Sequence, residues 1–355
     1  MTETPNEFKS KKILVTGAAG LIGYNFIKHI LGRNKLMSNS SLCSYVVGID
    51  ALEAWGNDNM IENDPYYTFY NINCTDDKLD DIFKKHNFDY VYHFAAYAAE
   101  GLSPFIRKFN YENNVLSTVS IVNMCIKYGV KRLVYTSSMS VYGNGVKPGE
   151  KFDETDTLSP IDPYAVSKYA CEMDIKIAGE QHGLDWCIIR PHNVFGVGQN
   201  VNDRYRNVIG IWMHQLVKDE PISIYGDGNQ TRAFTVVDNI LNSLYIASED
   251  PRCSKQIINL GGERPFTLNE AADVFAKVIG IDRNKFKYFE ERHEVKHAVP
   301  TNDKARDLLR YNEIYTFEEG LMKMWDWVLS EQKVHDWYKW GKFEIDNKIY
   351  SYWKI

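Results

Sequence analysis

Tyr164 and Lys168 stand four positions apart in the run P-Y-A-V-S-K, residues 163–168. Pro163 suits the first turn of a helix, where a missing N–H leaves nothing unpaired. Positions i and i+4 share one helix face, so the ammonium would lie beside the phenol. A neighbouring positive charge favours the phenolate and lowers its pKa by roughly 1–3 units. A group that ordinarily titrates near pH ~10 then becomes a usable general base. This pair recurs by chance in ordinary helices, so it needs company. It has some upstream in V-Y-T-S-S-M-S-V-Y-G, residues 134–143, an apolar strand ending in hydroxyls. Ser138 lies 26 positions before Tyr164 and could hydrogen-bond the same substrate oxygen that the tyrosine deprotonates.

A second constellation is I-L-V-T-G-A-A-G-L-I-G, residues 13–23. Gly17, Gly20 and Gly23 follow a strand pattern and open a helix pattern, with Ala19, Leu21 and Ile22 between them. The first glycine makes a turn that a Cβ would obstruct. The second lets a pyrophosphate approach the backbone, and the third permits close helix–strand packing. The helix N-terminus then offers free N–H groups and positive dipole to phosphate. The next strand ends V-V-G-I-D at Asp50, whose carboxylate would accept from adenosine ribose hydroxyls and repel a 2′-phosphate, favouring NAD over NADP. Asp50 lies 33 positions after Gly17, against the usual ~20. The polar stretch Asn34–Ser44 reads as a loop insertion that makes up the difference. Tyr90–Ala96 is a strand running into Phe94, Ala95 and Ala96, small enough at its end for a cofactor to pass closely.

These residues require a scaffold of strands alternating with crossover helices. Apolar runs at Lys12–Thr16, Tyr45–Asp50, Tyr66–Ile72, Tyr90–Phe94, Arg132–Ser137 and Trp186–Arg190 are near-continuous, which implies burial on both faces and a parallel sheet. Asn113–Tyr128 and Pro163–Gln181 are long enough to cross over. The expected fold is α/β: a Rossmann-type doubly wound parallel sheet over residues 11–190, with a return segment near 230–260. A smaller mixed α/β substrate lobe occupies 191–330, with strands Ile222–Tyr225 and Ile257–Leu260 and helices Val208–Lys218 and Leu268–Ile279. The tail, 331–355, carries Trp337, Tyr338, Trp340, Phe343, Tyr350, Tyr352 and Trp353. So many aromatics imply packing against the body or a second subunit.

Of the 355 residues, 44% are hydrophobic and 25% charged, ordinary for a globular chain. The net charge of −6 argues against a nucleic-acid binder, which needs a basic surface. Met1–Lys12 has no apolar signal-peptide core, and no apolar run reaches the ~20 residues of a membrane helix. The six cysteines form no C-x-x-C pair and the nine histidines no H-E-x-x-H, so no metal site is expected. Reduced core cysteines fit a cytoplasmic protein.

Taken together, these motifs resemble the NAD-dependent epimerase/dehydratase family of extended short-chain dehydrogenases/reductases, over about residues 11–310. T-G-A-A-G-L-I-G at 16–23 is similar to that family's T-G-x-x-G-x-I-G. His93-Phe-Ala-Ala resembles H-x-A-A, and Asn114-Val115 its N-V. Arg190-Pro191-His-Asn193-Val-Phe-Gly resembles R-P-x-N-x-Y-G, and Tyr225–Arg232 resembles the nucleotide-sugar loop. The resemblance implies Ser138, Tyr164 and Lys168 as the catalytic set. It implies a cofactor site that adds Asn114 and Pro191 to the residues above, with Asn73 and Cys74 beside the adenine in place of the usual Asp and branched aliphatic. Asn193 and Arg232 would hold the sugar nucleotide, Arg232 by a bidentate contact to phosphate. Ser138, Met139 and Tyr164 would touch the sugar, with Glu100 either reading a sugar hydroxyl or lying solvated on a loop. Ala233 follows Arg232 where an acidic residue is common.

The resemblance further implies oxidation at C4 of a nucleotide sugar, UDP-linked by preference, to a transient ketone. Dehydratases of this kind usually carry Asp-Glu after the catalytic hydroxyl and decarboxylases often a Glu; here Met139 and Ser140 follow Ser138. That leaves a 4-epimerase, with a 4-dehydrogenase/reductase or an epimerase at another carbon as alternatives and a non-catalytic NAD-binding scaffold as a further one. The family commonly dimerises through two long helices, here Asn113–Tyr128 and Pro163–Gln181, so a homodimer is expected.

Overall fold

The computed structural model describes residues 11–37, 43–52, 59–144, 150–331 and 333–353. The first ten residues and the middle of the Asn34–Ser44 insertion lie outside the described residues.

Seven parallel strands form the central sheet: β1 (Lys12–Thr16), β2 (Tyr45–Asp50), β3 (Tyr67–Asn71), β4 (Tyr90–His93), β5 (Arg132–Thr136), β6 (Trp186–Pro191) and, from far downstream, Gln256–Leu260. Their order is Gln256–Leu260, β6, β5, β4, β1, β2, β3. The order reverses beside β1, and in such sheets ligands bind at the carboxyl ends of strands at that switch point. Every helix-covered strand is apolar on both faces, as parallel sheets require: Ile13, Leu14 and Val15 are all fully buried.

Two layers of helices cover the sheet. On one face lie α1 (Leu21–Lys35) and a later helix, Val237–Glu249, around Phe26, Ile30, Ile240 and Leu244. On the other lie α2 (Lys78–His86), α3 (Arg107–Tyr111), α4 (Ser117–Lys127) and α5 (Pro163–His182), around Ile82, Phe83, Ile121 and Ile175. α1 is longer than the sequence pattern implies, since Asn34 belongs to its last turn, where its side chain donates to Ser44 O and accepts from Ser44 N. The boundaries of α5 are set locally. Asp162 accepts from Ala165 N, Pro163 is the first residue, and Gly183 closes the helix in the left-handed conformation, each the residue type its position favours.

The segment expected to be one helix from Asn113 begins earlier and is not uniform. α3 passes into a π turn, Glu112–Leu116, before α4. A π turn inserts a residue and rotates the side chains around it, and such turns are frequent at functional sites.

The second lobe is built from α6 (Val208–Val217), short strands and the helices Leu268–Ile279 and Phe317–Ser330 around Trp212, Phe275 and Phe317. The last two helices each open with a capping box, Thr267/Glu270 and Thr316/Glu319. The tail packs on the body of the same chain: Trp340, Phe343, Tyr350 and Trp353 join Tyr97, Phe105 and Tyr205 in one aromatic cluster.

Candidate active site

A cavity of about 410 Å³ runs between the lobes along the carboxyl ends of β1, β2 and β4–β6. At its floor Gly17 adopts φ 68°, and a Cβ there would lie 2.8 Å from Ala95 N. A Cβ at Gly23 would lie 2.1 Å from Gly17 O, so α1 can approach β1 this closely only with glycine. Gly17, Gly20, Leu21, Ile22 and Gly23 all line the cavity; Ala19 does not. Its N–H donates instead to Asp50 Oδ2 at 2.8 Å, which ties the end of β2 to the turn. Burial raises the Asp50 carboxyl above the ordinary range, against the pull of that N–H. Asn73, Cys74, Phe94, Ala95 and Ala96 continue the lining. A glycine cradle at a helix N-terminus, with a carboxylate at the neighbouring strand end, fits NAD.

Thr16, His93 and Thr118 hold this floor from beneath. Thr16 Oγ1 meets His93 Nδ1 at 2.7 Å, His93 Nε2 meets Thr118 Oγ1 at 3.0 Å, and Thr118 donates to Asn114 O at 2.6 Å. Proton counting along this chain gives Thr16 O–H donating to Nδ1 and His93 Nε2–H donating to Thr118. Burial pushes the imidazole down to about 3, so it stays neutral. Thr16 Oγ1 also accepts from Ala95 N at 3.1 Å, fixing the strand end beside Gly17.

Asn114, expected among the cofactor contacts, is turned into the protein. Asn113 and Ser117 line the cavity, and Asn114 does not. Its carboxamide is spent inside the protein, accepting from Tyr97 N at 2.8 Å and donating to Asn110 Oδ1 at 2.8 Å. The π turn rotates Asn114 inward, a shift that motif spacing does not reveal.

Ser138, Tyr164 and Lys168 converge at the end of β5. Ser138 caps the 3₁₀ turn Met139–Tyr142, accepting from Ser140 N at 3.1 Å. Tyr164 sits in the first turn of α5 and its N–H donates to Ser103 Oγ at 3.1 Å. Burial raises the phenol far above its usual range, and Glu100 raises it further, while a hydrogen bond with Ser138 and the charge of Arg206 work against them. Lys168 Nζ donates to Thr136 O at 2.8 Å, and burial pulls its ammonium down to about 8. The cation coupled to Tyr164 from both sides is Arg206, beyond what the Tyr-x-x-x-Lys spacing indicates. Arg206 is held by Asp203 at 3.0 Å and stacks 4.4 Å over the Tyr97 ring.

A buried network supports this set. Glu172 and Arg190 meet edge to edge, Nη2–Oε2 at 2.7 Å and Nε–Oε1 at 2.9 Å. Ser137 Oγ donates to Glu172 Oε1 at 2.5 Å, and Arg190 Nη1 donates to Tyr142 Oη at 2.7 Å. β5, α5 and β6 are thereby locked together one residue from Ser138 and from Pro191.

At the far end, Met139, Pro191, Asn193 and Arg232 all line the cavity. Asn193 holds φ 33° and donates to Ala233 O at 3.4 Å. The acidic partner missing after Arg232 comes from elsewhere in the chain: Glu294 pairs with Arg232 Nη2 at 3.1 Å, and Thr231 O accepts from Nη1 at 2.9 Å. Glu100 faces the cavity within the influence of Asp162, Arg232 and Glu294, and its carboxyl is pushed up to about 7 by desolvation and then by Asp162. Among the lining residues that sequence reasoning did not single out, three polar ones stand out. Arg292 lies 3.5 Å over the Tyr225 ring, with Nη2 buried and unpaired. Gln199 is buried with both carboxamide atoms unpaired, and Arg206 is described above. Each is a single residue in a loop, with no local spacing to mark it. Among the described residues, no His/Cys/Asp/Glu group could hold a metal, and no helix is long and apolar enough to cross a membrane.

Comparison with known proteins agrees with this geometry. Residues 13–261 match the model of the NAD dependent epimerase/dehydratase family. A putative UDP-glucose 4-epimerase of Methanocaldococcus jannaschii is 30% identical, covering 91% of this chain and 100% of the relative. A UDP-glucuronate 4-epimerase of Thermodesulfobacterium geofontis is 29% identical over 88% and 95%. The crystal structure of Thermotoga maritima UDP-glucose 4-epimerase with UDP-glucose superposes with a TM-score of 0.81 at 26% identity, covering 90% of this chain and 99% of that one. The Bacillus cereus UDP-glucuronic acid 4-epimerase, bound to UDP-glucuronic acid and NAD, gives 0.79 at 25% identity, over 90% and 99%. This chain therefore belongs to the NAD dependent epimerase/dehydratase family, and its interlobe cleft is built on that family's dinucleotide fold.

Proposed function

We propose that this protein is an NAD-dependent epimerase that inverts C4 of a UDP-hexose through a transient 4-keto sugar. The observation that carries this is one continuous cavity with the glycine cradle on its floor, Ser138, Tyr164 and Lys168 at its centre, and two guanidinium groups, Arg232 and Arg292, at its far end. Arg292 offers an unpaired Nη2 and Arg232 a partly engaged fork. Arginine suits a diphosphate because its planar fork matches phosphate oxygens.

Tyr164 accepts the proton of the sugar 4-hydroxyl and later returns it. Ser138 hydrogen-bonds that oxygen throughout, Arg206 supplies positive charge that favours the phenolate against burial, and Lys168 would hold the cofactor ribose. NAD, when bound, would supply the hydride acceptor. Asp50 would accept from the ribose hydroxyls. The chain contributes orientation and exclusion of water. Inversion needs the keto sugar to present its other face, and anchoring the diphosphate at the far end leaves the sugar free to turn about that point.

An ionised Glu100 near Tyr164 would repel a second carboxylate, so a neutral hexose fits this pocket better than a uronate. We further propose a homodimer. Leu116 at the π turn and Val166, Met173 and Ile177 on α5 are 53%, 41%, 47% and 46% exposed, an apolar surface suited to helix pairing. Six buried thiols accord with a cytoplasmic setting.

The test is NMR product analysis with UDP-glucose and UDP-N-acetylglucosamine and catalytic NAD, while NADH absorbance is followed. Inverted sugar without accumulating NADH is the expected result, and Tyr164→Phe should lower turnover by at least ~100-fold. Stoichiometric NADH with a keto-sugar would replace the epimerase with a dehydrogenase. Full activity in Tyr164→Phe would remove the tyrosine from the chemistry.

A further inference from the structure

We infer that the aromatic C-terminal tail is part of the substrate site: Tyr350, Tyr352 and Trp353 are positioning residues that hold the Arg292 guanidinium toward the cavity. This rests on the assignment of Arg292 to the substrate diphosphate.

Arg292 sits in a loop after the strand Phe286–Phe289, with no helix or strand of its own to aim it. A long side chain in such a place must give up its rotamer freedom before it can serve a ligand. The tail removes that freedom in advance. Arg292 Nε donates to Tyr352 Oη at 2.9 Å. The adjoining backbone is fixed by Tyr350 Oη, which accepts from His293 N at 2.9 Å. The guanidinium lies 3.5 Å over the Tyr225 ring and 5.3 and 5.2 Å from the rings of Tyr352 and Trp353, a cation–π enclosure on several sides. Nη2 remains buried and unpaired. A buried donor left unpaired carries a penalty that an anionic ligand would relieve.

Tyr350, Tyr352 and Trp353 do not line the cavity, so the tail acts on substrate through the lining residues it touches, and Arg292 is the one whose side chain bonds a tail hydroxyl. The tail is anchored to both lobes. Trp353 packs edge-on to Tyr205 at 5.0 Å and to Phe105 at 6.0 Å. Glu344 accepts from Lys108 N and Phe109 N at 2.7 and 2.8 Å, at the start of α3. Tyr338 N donates to Asn202 O at 2.6 Å. A segment held at so many points can fix a side chain through one hydroxyl.

The experiment is calorimetric titration of UDP-glucose into the full-length protein loaded with NAD, for wild type, Tyr352→Phe, Arg292→Met and the double variant. Tyr352→Phe keeps the ring and removes only the hydroxyl. It is expected to weaken UDP-glucose binding roughly tenfold, raising KM while kcat, NADH binding and the thermal midpoint stay at wild-type values. In the Arg292→Met background the same change should cost nothing further, because coupled residues are not additive. Wild-type affinity in Tyr352→Phe alongside weak binding in Arg292→Met would overturn the role of the tail and leave Arg292 as a diphosphate ligand. An equal loss from Tyr352→Phe in both backgrounds would mean general loosening, and would also overturn it. Wild-type affinity in Arg292→Met would remove Arg292 from the site, and the inference with it.

Discussion

Glu172 and Arg190 form an ion pair with 0% and 1% of their side chains exposed, and its disruption can be worked through. Glu172→Gln keeps the size but removes the charge. Three donors face the carboxylate: Ser137 Oγ, Arg190 Nε and Arg190 Nη2. An amide can satisfy one edge of that set, while its NH₂ opposes a guanidinium N–H. Arg190 would then be a buried cation without a counter-ion, a change that costs about 3–5 kcal/mol. With an unfolding entropy of about 2.1 cal/mol/K per residue, 355 residues give about 0.75 kcal/mol/K, so the midpoint should fall by about 4–7 °C. Turnover should fall too, because Ser137 is bonded to Glu172 and adjoins Ser138 in the chain. Urea unfolding and NMR epimerisation rates on the same preparation would measure both. The double change Glu172→Leu with Arg190→Met removes both charges. Such replacements are often near-neutral, so it should recover most of the stability without recovering turnover. A loss under about 1 kcal/mol in Glu172→Gln, the size expected of an exposed pair, would refute the argument.

Glu100 is exposed to the cavity it lines, and the crowding of protein around it, with Asp162 beside it, pushes its carboxyl up to about 7 from 4.5. Its carboxyl holds a proton more tightly folded than unfolded, so its contribution to stability is present below pH 4.5 and lost as the pH rises to about 7. Asp162, Arg232, Glu294 and Tyr164 share its surroundings. UDP-glucose affinity should therefore drop several-fold between pH 6 and 8, and the step should vanish in Glu100→Gln, with a gain in kcat/KM for UDP-glucuronate over UDP-glucose; an unchanged ratio would take Glu100 out of substrate selection. Gly23→Ala would put a Cβ 2.1 Å from Gly17 O, and backbone cannot yield that far, so NADH binding followed by fluorescence should weaken by at least ~100-fold. Gly32→Ala, with nothing within 4 Å of its Cβ, serves as the control and should be neutral or slightly stabilising.

Much of this protein is written locally. The strands at Lys12–Thr16 and Tyr45–Asp50 follow from unbroken apolar runs, because a strand buried on both faces admits nothing else. The helix at Leu268–Ile279 follows from its capping box and closing glycine. The set proposed for catalysis and the glycine turn are legible because their chemistry fixes spacing along the chain: four residues to a helix face, and a glycine wherever a backbone must approach. Other features depend on where separate segments meet. Arg232 finds its carboxylate in Glu294, and Tyr164 its neighbouring cation in Arg206 and a neighbouring carboxyl in Glu100. The π turn exchanges Asn113 for Asn114 at the cavity, although both belong to one polar run. Helix α5 is apolar on more than one side, and only packing separates Ile175, fully buried in the core, from Met173 and Ile177, which are left exposed. The aromatic tail carries no periodicity that names its partner. Its place against Arg292 is set by rings and a hydroxyl meeting across 60 residues of chain. Covalent spacing can specify a turn or a helix face; a meeting across the fold is decided by burial and by which polar groups still lack partners once the core has closed.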